Sequence, residues 1–174
     1  MTRPSDQGRR SFLRVGVLGG GVLAAFGAGL ALWPVRRVHV PRRALQVLDA
    51  TELAILAEVA SAIAPTGDPV EIAHRIDELF STQDEASRRD LRRLLRFVES
   101  GLAGALLDGR PRPFSHLSDQ GKVAALSAMR DSRLALRRGG YQALRRLALS
   151  MCWAPPGSWA RLGYAGPPEL VVPT

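Results

Sequence analysis

Apolar residues recur at spacings of three and four in five runs of this chain, separated by proline- and glycine-rich breaks, and no stretch alternates as a strand would. That period places each run on one face of a helix. The first run (Leu53, Leu56, Val59, Ala60, Ile63) follows Asp49-Ala50-Thr51-Glu52, which reads as a capping box, and stops at Pro65-Thr66-Gly67-Asp68-Pro69. The second begins at Pro69, with Ile72, Ala73, Ile76, Leu79 and Phe80 facing inward. His74 falls beside that stripe and reads as a surface or boundary histidine. The third and longest helix is predicted from Glu85 to Leu107, with a stripe of Leu91, Leu94, Leu95, Val98, Leu102, Ala105 and Leu106. Ser118 caps a fourth, with Val123, Leu126, Ala128 and Met129 as its apolar contacts. The fifth carries Leu134, Leu136, Tyr141, Leu144, Leu147, Ala148 and Met151. It is interrupted by Gly139-Gly140, which predicts a kink or a close helix approach. The expected fold is all-α: a single small helical bundle-like domain of about five helices, ending in an irregular aromatic and proline-rich tail.

The first 33 residues do not belong to that pattern. Gly8-Arg9-Arg10-Ser11-Phe12-Leu13-Arg14 precedes a charge-free, glycine-rich run from Val15 to Trp33. Such an arrangement looks like a twin-arginine export signal, with Arg9, Arg10, Phe12 and Leu13 in the recognised positions, Gly8 where Ser or Thr is usual and Arg14 where Lys is usual. An ordinary secretory signal also begins basic and continues apolar. Here Arg36, Arg37, Arg42 and Arg43 follow the run, and charge there opposes ordinary threading. Nineteen helical residues span roughly 28 Å, close to the hydrocarbon thickness of a bilayer, so cleavage and retention as a membrane anchor both stay open. The organisation is therefore 1–33 signal or anchor, 34–47 basic linker and 48–174 helical domain, with export to the periplasm or the periplasmic face of the inner membrane.

The chain carries 24 basic and 16 acidic residues, a formal +8. Arg3, Arg9, Arg10 and Arg14 lie in the leader with Asp6, so much of the excess is targeting charge. No zinc-finger spacing or aromatic RNA-binding signature accompanies the rest, and no nucleic-acid partner is expected. Arg88, Arg89, Arg92, Arg93 and Arg96 cluster on the third helix, as a solvated face or as a surface for an anionic partner. Cys152 is the only cysteine, which excludes an internal disulfide, and its setting, Leu149-Ser150-Met151-Cys152-Trp153, is that of an inert packed thiol. The sequence contains no Walker loop, dinucleotide fingerprint, haem-attachment motif or nucleophile elbow. No catalytic, cofactor-binding or metal-binding residue is assigned, and the chain is expected to work by binding.

The tail from Trp153 to Pro168 holds two tryptophans, a tyrosine and, with Pro173, five of the twelve prolines. Rigid segments with large side chains either pack on their own domain or anchor a partner. The order of elements resembles the gluconate 2-dehydrogenase subunit 3 family. It runs from the twin-arginine leader through Leu48-Asp49-Ala50-Thr51-Glu52 to Ile63-Ala64-Pro65, Gly67-Asp68-Pro69 and Ile76-Asp77-Glu78-Leu79. Phe114-Ser115-x-Leu117-Ser118 follows, then Trp159-x-x-Leu162-Gly163-Tyr164-x-Gly166-Pro167. The chain departs from the family at Ala165, where Pro is frequent, and lacks a Pro-Gly-Ala in its first break. The resemblance implies a small subunit without a cofactor, associated with an FAD-containing dehydrogenase of the glucose–methanol–choline class. A cytochrome c subunit commonly takes the electrons. The export signal then engages the twin-arginine translocase on behalf of both subunits. Within the aromatic tail, Trp153, Trp159, Leu162, Gly163, Tyr164, Gly166 and Pro167 are the candidate partner interface. A different class of function is a stand-alone exported binding protein, held in the membrane through Val15–Trp33.

Overall fold

The computed structural model describes residues 41–100, 109 and 112–166. Among these the chain is all-helical, with no strand. The elements are α1 (Ala50–Ile63), α2 (Pro69–Ser81), α3 (Glu85–Glu99), a 3-10 turn (Phe114–His116), α4 (Asp119–Arg130), α5 (Ala135–Trp153), the short α6 (Pro156–Trp159) and a 3-10 turn (Ala160–Leu162). Arg9, Arg10, Phe12, Leu13 and the run Val15–Trp33 lie outside the described residues, as does Pro167.

Each long helix but the fifth starts where a short polar side chain caps it. Asp49 accepts from the Glu52 N–H at 2.8 Å while Glu52 reaches back to the Asp49 N–H at 3.2 Å, the reciprocal box read from the sequence. Asp68, Asp84 and Ser118 cap α2, α3 and α4. Pro69 opens α2, where its missing N–H costs nothing.

α1 is the centre of the fold. It touches α2, α3, α4 and α5, and every residue from Glu52 to Ala60 is buried. The single inward stripe expected for this helix is thus a correction: α1 is enclosed on all sides, and its alanines (Ala54, Ala57, Ala60) let neighbours approach. Leu53, Leu56, Ile72, Ile76, Leu95 and Leu144 are the largest apolar side chains fully removed from water, each contributing about 1.5–3 kcal/mol.

Four expected core leucines and valines face solvent instead: Leu79, Val123, Leu134 and Leu136. In α4 the reason is a competitor. Lys122, Leu126 and Met129 share the inward face at four- and three-residue spacing, which turns Val123 outward. α3 also ends earlier than expected, at Glu99 rather than Leu107. Ser100 leaves helical geometry with ψ 107°, and Leu102, Ala105 and Leu106 fall outside the described residues.

The glycine pair Gly139-Gly140 lies within one continuous helix, so the sequence alternative resolves to a close approach. A Cβ on Gly140 would meet Leu94 Cδ1 of α3 at 2.8 Å, whereas one on Gly139 would meet nothing within 4 Å. Gly139→Ala is therefore expected to stabilise the protein by about 0.5–1 kcal/mol through helix propensity alone. At Gly140 the same gain is offset by displacement of Leu94. Urea unfolding of the two variants should place Gly139→Ala above wild type and Gly140→Ala below Gly139→Ala.

Candidate partner-docking surface

The C-terminal tail is built from α5 outward. The helix ends at Trp153, which packs against the core from a half-buried position. Pro155 and Pro156 turn the chain, and α6 passes directly into the 3-10 turn that ends at Gly163. Gly163 adopts φ 67°, a left-handed conformation glycine takes without strain, and this lets the Tyr164 N–H reach back to the Trp159 carbonyl at 3.1 Å.

That reversal closes a small aromatic knob. Trp159 and Tyr164 meet edge to face, with ring centroids 5.5 Å apart and planes at 64°. The Trp159 indole N–H donates to the Trp153 carbonyl at 3.2 Å, and the Ser158 hydroxyl lies 2.9 Å from the same oxygen. Gly166, at φ 111°, runs so close under the ring that a Cβ there would stand 3.2 Å from Trp159. Trp153, Trp159, Gly163, Tyr164 and Gly166 are thus brought together, each for a stated geometric reason. Leu162 and Tyr164 remain 54% and 49% exposed on the outer side.

The knob is tied to the body beside the α1–α2 turn. Arg161 donates to the Thr66 hydroxyl, Cys152 Sγ donates to the Thr66 carbonyl at 3.1 Å, and Arg75 of α2 donates to the Met151 carbonyl at 3.2 Å. A cleft of about 180 Å³ lies between this turn and the tail, lined by Thr66, Asp68, Arg75, Cys152 and Arg161 among others. Arg42 pairs with Asp68 at its rim, and Arg75 pairs with Glu71 at 3.1 Å. Cys152 is buried with its sulfur engaged, the packed thiol that its sequence setting indicates.

The arginine cluster of α3 is engaged by the fold itself. Arg88 donates to the carbonyls of Phe80 and Ser81, and Arg92 to that of Val47. Arg96 pairs with the buried Glu52 at 3.3 Å, and Arg89 and Arg93 pair within the helix. His74 is a further correction. It is buried in α2, and its Nε2 accepts the Arg42 N–H at 3.1 Å, so it fastens the incoming chain instead of standing at the surface.

Several important polar groups escaped the sequence reading. Asp77 is fully buried and accepts three successive backbone N–H groups, from Gln46, Val47 and Leu48, at 2.7, 2.9 and 2.8 Å. Lys122 and Glu58 form an ion pair, each with less than a twentieth of its side chain exposed. Their signal was positional: Asp77 follows Val70 and Ala73 on the buried face of α2, and Lys122 shares its face with Leu126 and Met129. Glu99 accepts from the Ser115 N–H at 3.0 Å and from its hydroxyl at 2.6 Å, which places Phe114-Ser115 against the end of α3.

Burial raises the Glu99 carboxyl above its ordinary value, against the opposing pull of the Ser115 hydrogen bonds. A raised folded-state value favours the protonated form, so this group's contribution to stability is greatest below the ordinary glutamate range and is lost as pH rises through the raised value. Glu99→Gln keeps an acceptor for Ser115 and removes the titration. In paired unfolding measurements the variant and wild type should differ by a constant amount below about pH 4. The difference should move in favour of glutamine as pH rises to neutrality.

No group of three or more metal-capable side chains is gathered among the described residues, and none of the described helices is long and apolar enough to cross a membrane. No family model, curated protein or solved structure matches the chain.

Proposed function

We propose that this chain is the non-catalytic small subunit of a periplasmic flavin-dependent dehydrogenase, of the gluconate 2-dehydrogenase subunit 3 type. Its body is a five-helix bundle-like domain. Its leader supplies the twin-arginine signal for a catalytic subunit of the glucose–methanol–choline class, which carries the FAD. This chain binds no cofactor of its own, and a cytochrome c subunit is the expected electron acceptor of the assembly.

The observation that carries the reading is the aromatic knob. Its residues stand in the order Trp159-x-x-Leu162-Gly163-Tyr164-x-Gly166, and their packing leaves Leu162 and Tyr164 outward on a segment already ordered by Gly163 and the Trp159 ring. A pre-ordered apolar anchor loses little conformational entropy on binding, which suits a stable subunit contact. The export logic is consistent with this. FAD is inserted in the cytoplasm, so a flavoprotein must cross folded, and a subunit with a folded-cargo signal can carry it. A second reading, a membrane-anchored binding protein acting alone, draws support from the length of Val15–Trp33.

Isolation of the tagged chain from its native cells separates the two. The accessory-subunit reading expects a co-purifying yellow polypeptide with the absorption spectrum of bound flavin, lost when Leu162 and Tyr164 are both replaced by serine. Recovery of the wild-type chain at its own mass without flavin contradicts it and favours the anchored binding protein.

A further inference from the structure

The corner between α4 and α5 presents two leucines that folding does not account for. Leu134 occupies the N-cap of α5 with no side-chain cap, although aspartate or serine caps the other four long helices and leucine is among the poorest residues there. It is 52% exposed, and Leu136 is 84% exposed. Both stand clear of the core to which the sequence period would assign them.

Their surroundings are basic. Arg133 and Arg138 flank the pair and are exposed, and Arg138 folds back onto the carbonyls of Ser132 and Arg133 at 2.7 and 2.9 Å. Asp131, the one acid at the corner, is matched by Arg130 at 2.8 Å. From Ser132 to Gly166 there is no acidic residue, while Arg145 and Arg146 continue the exposed positive charge along α5. Arg133, Arg145 and Arg146 make no ion pair with any described acid.

We propose that this corner docks on an anionic phospholipid surface, with Leu134 and Leu136 entering between headgroups and the flanking arginines meeting lipid phosphates. Leu134 and Leu136 stand in a stretch, Ser132 to Gly166, that holds arginines and no acid. They suit a bilayer, where a few apolar side chains and nearby basic residues add their contributions. Charge complementarity therefore selects lipid. The charge-free run Val15–Trp33, long enough to lie in a bilayer, would hold the domain within reach of the same surface and raise the local concentration. The proposal rests on no property of the flavoprotein partner.

The test reads the corner itself, because the leader can hold the full chain on vesicles by its own means. A Leu136→Cys variant is labelled with an environment-sensitive fluorophore, Cys152 being buried, and a Ser61→Cys variant on α1 serves as control. Ser61 is exposed near the end of α1, five residues before Thr66, whose carbonyl takes the Cys152 thiol at the opposite end of α5 from residue 136. With vesicles of phosphatidylglycerol and phosphatidylethanolamine, the label at 136 should shift to the blue and the label at 61 should not. Pure phosphatidylcholine should give no shift. The shift should be lost in about 1 M salt, where charges are screened beyond ~3 Å, and in the Arg133→Gln/Arg138→Gln variant. An unchanged label at 136 while the chain floats with the anionic vesicles overturns the proposal, as does an equal shift at both positions. A shift with polyglutamate but not with vesicles also overturns it and transfers the corner to an acidic protein.

Discussion

Lys122→Met is expected to lower the free energy of unfolding by about 3–5 kcal/mol, because it leaves the Glu58 carboxylate in the interior without its ammonium partner. That is a large share of the 5–15 kcal/mol by which domains are ordinarily stable. The cost comes from taking the neutralising ammonium away from a buried carboxylate, not from losing a strong bond. The double variant Glu58→Leu/Lys122→Met should therefore recover most of the loss, since apolar replacement of both partners removes the desolvation as well. Denaturant unfolding of the three variants measures the cycle. Lys122 is also the only lysine in the chain, and it is 2% exposed. Amine-directed acylation of the native protein should accordingly spare the side chain, then reach it on unfolding.

Asp77→Ala should have an effect of similar size but a different character. The carboxylate collects three adjacent N–H groups of the segment entering α1, and their loss leaves donors at Val47 and Leu48 buried without an acceptor. An unsatisfied buried donor costs about 1–3 kcal/mol, so two or three of them amount to several. The segment does not depend on Asp77 alone. His74 holds the Arg42 N–H, Arg42 and Arg43 pair with Asp68, Glu71 and Glu78, and Arg92 holds the Val47 carbonyl. The expected result is local release before global unfolding: hydrogen exchange at 46–48 accelerates strongly in Asp77→Ala, while the middle of α1 stays protected. Uniform acceleration across the protein would show instead that Asp77 supports the whole fold at once. Because this segment immediately precedes α1, its docking determines where the chain enters the folded body.

Helix positions were largely legible in the sequence, and the reason lies in their ends. Asp49-x-x-Glu52, Pro69 and Ser118 are local signals whose chemistry acts within one turn, so they survive any tertiary context; the caps at Asp68 and Asp84 emerge only from the structure. Burial was less legible, because it depends on partners far along the chain. Nothing near Lys122 announces Glu58, and a charged residue in an inward register is ordinarily read as a break in the stripe. α1 hid its enclosure in the opposite way: its alanines and two buried glutamates blur the amphipathic signal that a central helix lacks. Period alone assigns Leu134 and Leu136 inward, and the structure turns them out where α5 begins.

The tail divides along the same line. The sequence marks the aromatic residues and glycines, but the contacts that make them one unit depend on Gly163 entering the left-handed region and on Trp159 reaching Trp153. Those contacts also separate the roles that composition ran together. Trp153, Trp159 and Gly166 hold the knob, while Leu162 and Tyr164 are displayed by it.

Under the proposed function the leader of this chain serves a second polypeptide, and exchanging Arg9 and Arg10 for lysine decides whether it does. The measurement is fractionation of cells expressing the double variant with its native partner genes, followed by flavin absorbance and dehydrogenase activity in the periplasmic and cytoplasmic fractions. Both this chain and the flavoprotein should be retained in the cytoplasm, the latter still loaded with FAD. Normal appearance of the flavoprotein in the periplasm while this chain stays behind would contradict the proposed function.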